Sequence, residues 1–166
     1  MQIRDEHQED AAAIGRITAE AFAKGAHSGG TEPRIVETLR RAGALTISLV
    51  ATGDDGSIIG HVAFSPVQID RTAGRWYGLG PVSVAPDMQR RGVGRALIRQ
   101  GLARLTALDA DGCVVLGDPA YYGRFGFVGD AALTFGGAPS RFFQRLVLKG
   151  EPPRGDVSYH QAFDIA

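Results

Sequence analysis

Six residues, Gln89-Arg90-Arg91-Gly92-Val93-Gly94, carry the plainest chemical signal in the chain. They lie between a segment that reads as a strand ending near Val84 and one that reads as a helix starting near Val93. Such a turn aims successive backbone N–H groups at an anion, and the helix N-terminus adds a favourable dipole. Glycines at 92 and 94 let phosphate approach the main chain where a Cβ would block it. Arg90, Arg91 and Arg95 add positive charge, so the expected ligand is a pyrophosphate. The string alone is weak, because Arg75-Trp76-Tyr77-Gly78-Leu79-Gly80 fits the same pattern. That copy runs on into Pro81 and further strand, presents no helix start, and is set aside on context.

Other reactive residue types read more simply as structure. Cys113 sits in Gly112-Cys113-Val114-Val115-Leu116, which reads as a buried strand, and is expected to be a small core hydrophobe. As the single cysteine it excludes an intrachain disulfide. His7, His27, His61 and His160 lack ligand spacing with one another or with Cys113, so no metal is expected. No Gly-x-Ser-x-Gly elbow occurs, and the third glycine position of a dinucleotide fingerprint holds Leu97. His27 and Glu32 flank a Ser28-Gly29-Gly30 loop that could overhang an acceptor. A solvated loop and a capped helix start explain them more simply. His61, on a strand near the centre, reads as a structural histidine before it reads as a base. Asp118 is sufficiently explained as an N-cap.

These residues need elements to position them. Residues 1–6 read as a strand. Ile14, Ile17, Ala21 and Phe22 recur at helical spacing. Thr31 can cap a second helix with Ile35, Val36 and Leu39 inside and Gly43 ending it. Residues 45–51 and 58–67 read as strands around an Asp54-Asp55-Gly56 turn, with Val62 and Phe64 on one face. Residues 77–85 read as a third strand interrupted by Gly78, Gly80 and Pro81. Val93, Leu97, Ile98, Leu102, Leu105 and Leu108 form the stripe of a long helix, with Arg95, Arg99 and Arg104 off it. A strand at 113–116 leads to a short helix capped by Asp118, with Pro119 at its first position. Residues 142–148 and 157–165 read as strands, and 132–135 less clearly so. The expected architecture is α/β, a mixed central sheet with helices on both faces, formed by one domain spanning 1–166.

The 166 residues suit one sizeable core. Eighteen basic residues balance eighteen acidic ones, which argues against nucleic-acid or membrane-surface partners. With neither an apolar signal region nor an apolar run long enough to span a bilayer, the expected compartment is the cytoplasm.

Gly80-Pro81-Val82-Ser83-Val84-Ala85-Pro86-Asp87-Met88, running into the 89–94 turn, resembles the signature strand and pyrophosphate loop of the GNAT superfamily of acyl-CoA N-acyltransferases. Asp118-Pro119-Ala120-Tyr121-Tyr122-Gly123-Arg124-Phe125-Gly126-Phe127 resembles that family's later segment, where a Tyr precedes a Gly-Phe pair. The paired tyrosines after Gly117-Asp118-Pro119 are most similar to its YhbS-like branch. After about residue 130 nothing diagnostic matches. The resemblance implies acetyl-CoA as donor and a small-molecule or peptide amine as acceptor. It implies that Val82 and Val84 offer backbone groups to the pantetheine arm and thioester. Gln89, Arg90, Arg91, Gly92, Val93 and Gly94 would hold the pyrophosphate. Tyr122 would protonate the departing thiolate. A phenol titrates near ~10 and a thiol near ~8.5, so a tyrosine keeps its proton at neutral pH and can donate it. Tyr121, Phe125 and Phe127 are expected to be core aromatics. The alternative function is a non-catalytic acyl-CoA sensor on the same fold.

Overall fold

The computed structural model describes residues 1–23 and 30–165. Its elements run β1 (Gln2–Asp5), α1 (Ala11–Phe22), α2 (Glu32–Arg41), β2 (Ile47–Thr52), β3 (Ile58–Ile69) and β4 (Thr72–Val84). Then come α3 (Val93–Ala107), β5 (Gly112–Leu116), α4 (Pro119–Tyr122), β6 (Val128–Gly129), β7 (Leu133–Thr134), β8 (Phe143–Val147) and β9 (Gly155–Tyr159). The main path of the nine-stranded sheet is β1-β2-β3-β4-β5-β8-β6, antiparallel along it except for the parallel β4–β5 pair; off this path β9 pairs antiparallel with β3 and parallel with β7. β2 leaves the edge of β3 at Phe64, and β9 takes that edge up from Val67.

Helices cover both faces. Val62 and Phe64 alternate onto the α3 side, where they join Val93, Leu97, Ile98 and Leu105. α3 comes so close that a Cβ at Gly101 would run into the Phe64 ring. On the other face Val50 packs with Ile14 of α1 and Val36 of α2. Burying β3 on both sides explains its apolar run in place of strict alternation.

Three local expectations are corrected. β4 starts at Thr72 rather than 77, because the chain reverses at Asp70 and Arg71, both at positive φ (51° and 62°). Neither is the glycine that marks such hairpins in a sequence. Asp156 holds the turn instead, its N–H donating to the Asp70 carboxylate at 2.9 Å. The last strand stops at Tyr159, and Gln161–Ile165 curl into a 3₁₀ turn, started where the Ala162 N–H donates to His160 Nδ1 at 3.0 Å. Thr31 precedes α2 but makes no side-chain cap; its hydroxyl donates to Glu32 at 3.3 Å. Asp118 does cap α4, accepting from the Ala120 N–H at 3.0 Å, with Pro119 in the first turn.

Candidate active site at the split between two strands

The parallel strands β4 and β5 stay together for three residue pairs, Trp76–Gly112, Tyr77–Cys113 and Gly78–Val114. Beyond Gly78 they part. β4 shifts register against β3 between Val62 and Phe64, around Gly80 (φ 138°) and Pro81. β5 carries on beside β8 alone. Residues 79–84 therefore pair only with β3, and their other edge faces a slot. The Ala85 N–H donates to the Ile59 carbonyl at 2.8 Å, which points Ala85 and, two residues back, Ser83 toward β3. By alternation Val84 and Val82 present their N–H and C=O groups to the slot.

The slot runs into the turn before α3. Gly92, the N-cap, adopts left-handed φ (82°), and Arg90 is left-handed as well at 64°. Gly92 is thus required by conformation as well as by close approach. The first bond of the helix is Ala96 N–H to the Gly92 carbonyl, which leaves the preceding N–H groups of the first turn without helical partners. A cavity of about 300 Å³ opens over this turn, lined by Gln89, Arg90, Gly92, Val93, Gly94 and Val84. Arg95, Tyr121 and Arg124 complete it. Val82 and the exposed Arg91 lie outside its lining. The Gln89 side chain donates to the Val84 carbonyl at 3.2 Å, tying the turn back to β4.

Tyr121, expected among the core aromatics, does pack against the core and also lines the cavity, next to Arg124. The Tyr121 hydroxyl would sit 3.4 Å from a Cβ at Gly94, and the Arg124 guanidinium lies 4.5 Å from the Tyr121 ring centroid. Their three-residue spacing, which stacks side chains on one side of a helical turn, was the available signal.

Tyr122 lies against the end of β5, packed on the core, and lines neither this cavity nor the second one, at Gly80 and Pro81. A Cβ at Gly117, the residue after β5, would collide with its ring, so glycine there lets the ring lie against the strand end. Phe127 (6.0 Å between centroids) and Tyr121 (5.0 Å) meet it edge-on. Burial, with Tyr121 and Cys113 nearby, pushes the Tyr122 phenol up to about 12, so it is protonated at neutral pH. Cys113 is fully buried, and burial raises its thiol further from ionisation, as suits a core residue.

A second cavity, about 330 Å³, lies beside the other end of the split. Leu79, Gly80 and Pro81 of β4 and Leu116 of β5 form its floor. Rings of Phe22, Phe135, Tyr159 and Phe163, with Ile35 and Glu32 of α2, form its walls. His27 lies outside the described residues.

His61 lines neither cavity and is fully buried. The Ser48 hydroxyl donates to Glu6 at 2.5 Å, so the 2.8 Å contact between Ser48 and His61 Nε2 is a donation from the ring. Burial lowers His61 to about 4 against the opposing pull of Glu6, leaving it neutral. Burial also pushes the Glu6 carboxyl up, but bonds from Arg40 (2.8 and 2.9 Å) and Ser48 outweigh it and hold it ionised. This is a structural network. Among the described residues no three His, Cys, Asp or Glu side chains gather as a metal site. No helix among them is long and apolar enough to cross a membrane.

A strand split beside a glycine turn that opens a helix is what the resemblance to the acyl-CoA-dependent transferases implies. Residues 13–127 match the Acetyltransferase (GNAT) family, and the chain belongs to it as an N-acetyltransferase. It is 40% identical to the N-acetyltransferase YhbS of Escherichia coli (strain K12), over 99% of both chains, and is a YhbS-like member. Among solved structures, a GNAT family acetyltransferase from Brucella melitensis in complex with acetyl-CoA is 50% identical, with a TM-score of 0.88 over 98% of this chain and 97% of that one. Escherichia coli YhbS in complex with CoA is 35% identical, with a TM-score of 0.90 over 98% and 91%.

Proposed function

We propose that the chain, working as one domain, transfers acetyl from acetyl-CoA to an amine by direct attack in a ternary complex. The observation that carries this is the unpaired edge of β4, which leads straight into the glycine turn of α3. Val82 and Val84 bond the pantetheine arm and thioester as an added strand would. The N–H groups of residues 92–94 take the pyrophosphate, with Arg90, Arg95 and Arg124 supplying charge; Arg91, outside the cavity, steers from a distance. Gln89 fixes the turn.

The thioester is already activated, so no covalent enzyme intermediate is needed. The acceptor ammonium gives up a proton to solvent, and its lone pair attacks the carbonyl. The C–N bond forms, the C–S bond breaks, and Tyr122 delivers its proton to the departing sulfur. The second proton leaving nitrogen balances the one that Tyr122 supplied. General-acid assistance of this kind is worth roughly 10²–10⁴ in rate. The buried single thiol fits a cytoplasmic setting.

Thiol release from acetyl-CoA against a panel of amines tests the reading. Tyr122→Phe keeps the ring and removes the proton, so kcat falls by about 10-fold or more with acetyl-CoA affinity and melting temperature little changed. Tyr121→Phe moves KM for acetyl-CoA instead, through the phosphate cavity. If Tyr122→Phe turns over like the parent where chemistry limits kcat, Tyr122 is not the acid.

A further inference from the structure

The cavity at Gly80 and Pro81 differs in kind from the phosphate cavity, and its composition defines a ligand. Phe135 and Tyr159 meet at 5.0 Å between ring centroids, and Tyr159 and Phe163 at 5.1 Å. Phe143, fully buried, backs Phe135 at 5.3 Å. The rings form one continuous wall. That wall is keyed to the split itself, because a Cβ at Gly78 would stand 2.6 Å from the Tyr159 ring. Gly78 is the last β4 residue paired with β5, so the absence of its side chain seats the wall where the strands part. Among the described residues lining the cavity, Glu32 is the one charged group.

Granting the acetyl-transfer reading above, we propose that this cavity is the acceptor site and that its substrate is a primary amine on an apolar body about the size of one ring. The wall takes the body out of water. The Glu32 carboxylate draws the ammonium into surroundings where a lone cation is otherwise disfavoured. Leu79, Gly80 and Pro81 belong both to this cavity and to the slot edge, so an amine held here faces the thioester. The same lining discriminates. A polyamine would set its further ammonium groups against the ring wall, where the described lining residues other than Glu32 carry no charge. A peptide would bring a row of backbone N–H and C=O groups for which the side chains among the described lining residues offer only the Glu32 carboxylate and the Tyr159 hydroxyl.

The test compares 2-phenylethylamine, spermidine and a lysine-containing peptide as acceptors, with acetyl-CoA binding followed by calorimetry. The expected result is a kcat/KM for 2-phenylethylamine at least about 10-fold above the other two. Glu32→Gln, which preserves shape and an acceptor for the Thr31 hydroxyl, raises KM for 2-phenylethylamine by about 10-fold, with kcat less affected and acetyl-CoA affinity unchanged. Phe163→Ala, checked for folding by circular dichroism, narrows the preference. Preference for spermidine or the peptide overturns the proposal. So does an unchanged KM in Glu32→Gln, or absence of 2-phenylethylamine turnover with normal acetyl-CoA binding. Absence of acetyl-CoA binding overturns the transferase reading with it.

Discussion

Around Gly92 and Gly94 the phosphate cavity is walled by main chain and arginines, nearly all from residues 84–95, with Tyr121 and Arg124 as its far side. Around Phe135 and Tyr159 the other cavity is lined mostly by side chains, from α1, α2, the three strands β4, β5 and β9, and the Phe135 and Phe163 segments. The first must accept the same phosphates whatever is being acetylated, and backbone amides do that with little demand on side-chain identity. The second has to tell one amine from another, which only side chains can do. A site made of backbone is written into a short run of glycines. A site made of converging rings exists only once the chain has folded.

The largest expected effect would remove both cavities together. His61 is held near 4 in the fold and returns to about 6.5 when unfolded. Between those values the unfolded chain binds more protons, so stability is full above about pH 6.5 and falls as pH drops toward 4. The fully buried His61 contributes about 3 kcal/mol to that loss by pH 4. Glu6, held low, adds to it as it protonates. Urea unfolding from pH 7 to 4 should show the loss, and His61→Gln should flatten it; an identical pH profile in the variant would remove His61 from the account.

A smaller effect would separate the cavities. Gly94→Val places methyls beside the Tyr121 hydroxyl and Val84, where phosphate must approach. Acetyl-CoA affinity should drop by about 10- to 100-fold with the circular dichroism spectrum intact and the ranking of acceptors preserved. Calorimetry showing parental affinity in a folded Gly94→Val would end the phosphate assignment. The smallest effect refines the charged side alone. Arg124→Ala should weaken acetyl-CoA a few-fold and reduce the salt dependence of binding. Equal salt dependence in variant and parent would place Arg124 outside the phosphate field.

How far each region could be read in advance follows the same division. The α3 stripe as far as Leu105, the turn at 89–94 and the Asp118 cap depend on neighbours in sequence, and local pattern revealed them; Leu108, expected on the stripe, lies past the helix end and is exposed. Tyr122 was legible through its resemblance to a family motif, whereas its seat on Gly117 was not. The Asp70–Arg71 hairpin escaped because Asp156, far along the chain, holds it. Tyr121 packs against the core as its aromatic neighbours suggest, but the spacing of 121, 122, 125 and 127 gives no sign of which ring also reaches the phosphate cavity. The wall of Phe135, Tyr159 and Phe163 was illegible for the strongest reason. It forms when β9 pairs with β3, a contact spanning about ninety residues of chain.

An unpaired strand edge at a protein surface invites other chains to add to it, and aggregation often begins there. The open half of β4 avoids that position. It lies in the interior of the sheet, with β3 along one side and β5, joined to it at Trp76–Gly78, leaning away on the other. A slender arm can enter between the diverging strands, whereas a second polypeptide meets no outer edge of the sheet there, because β4 lies between β3 and β5. The register that leaves Val82 and the Val84 N–H without a strand partner therefore also guards them, and the fold keeps a sticky edge in reserve without exposing it to its neighbours in a crowded solution.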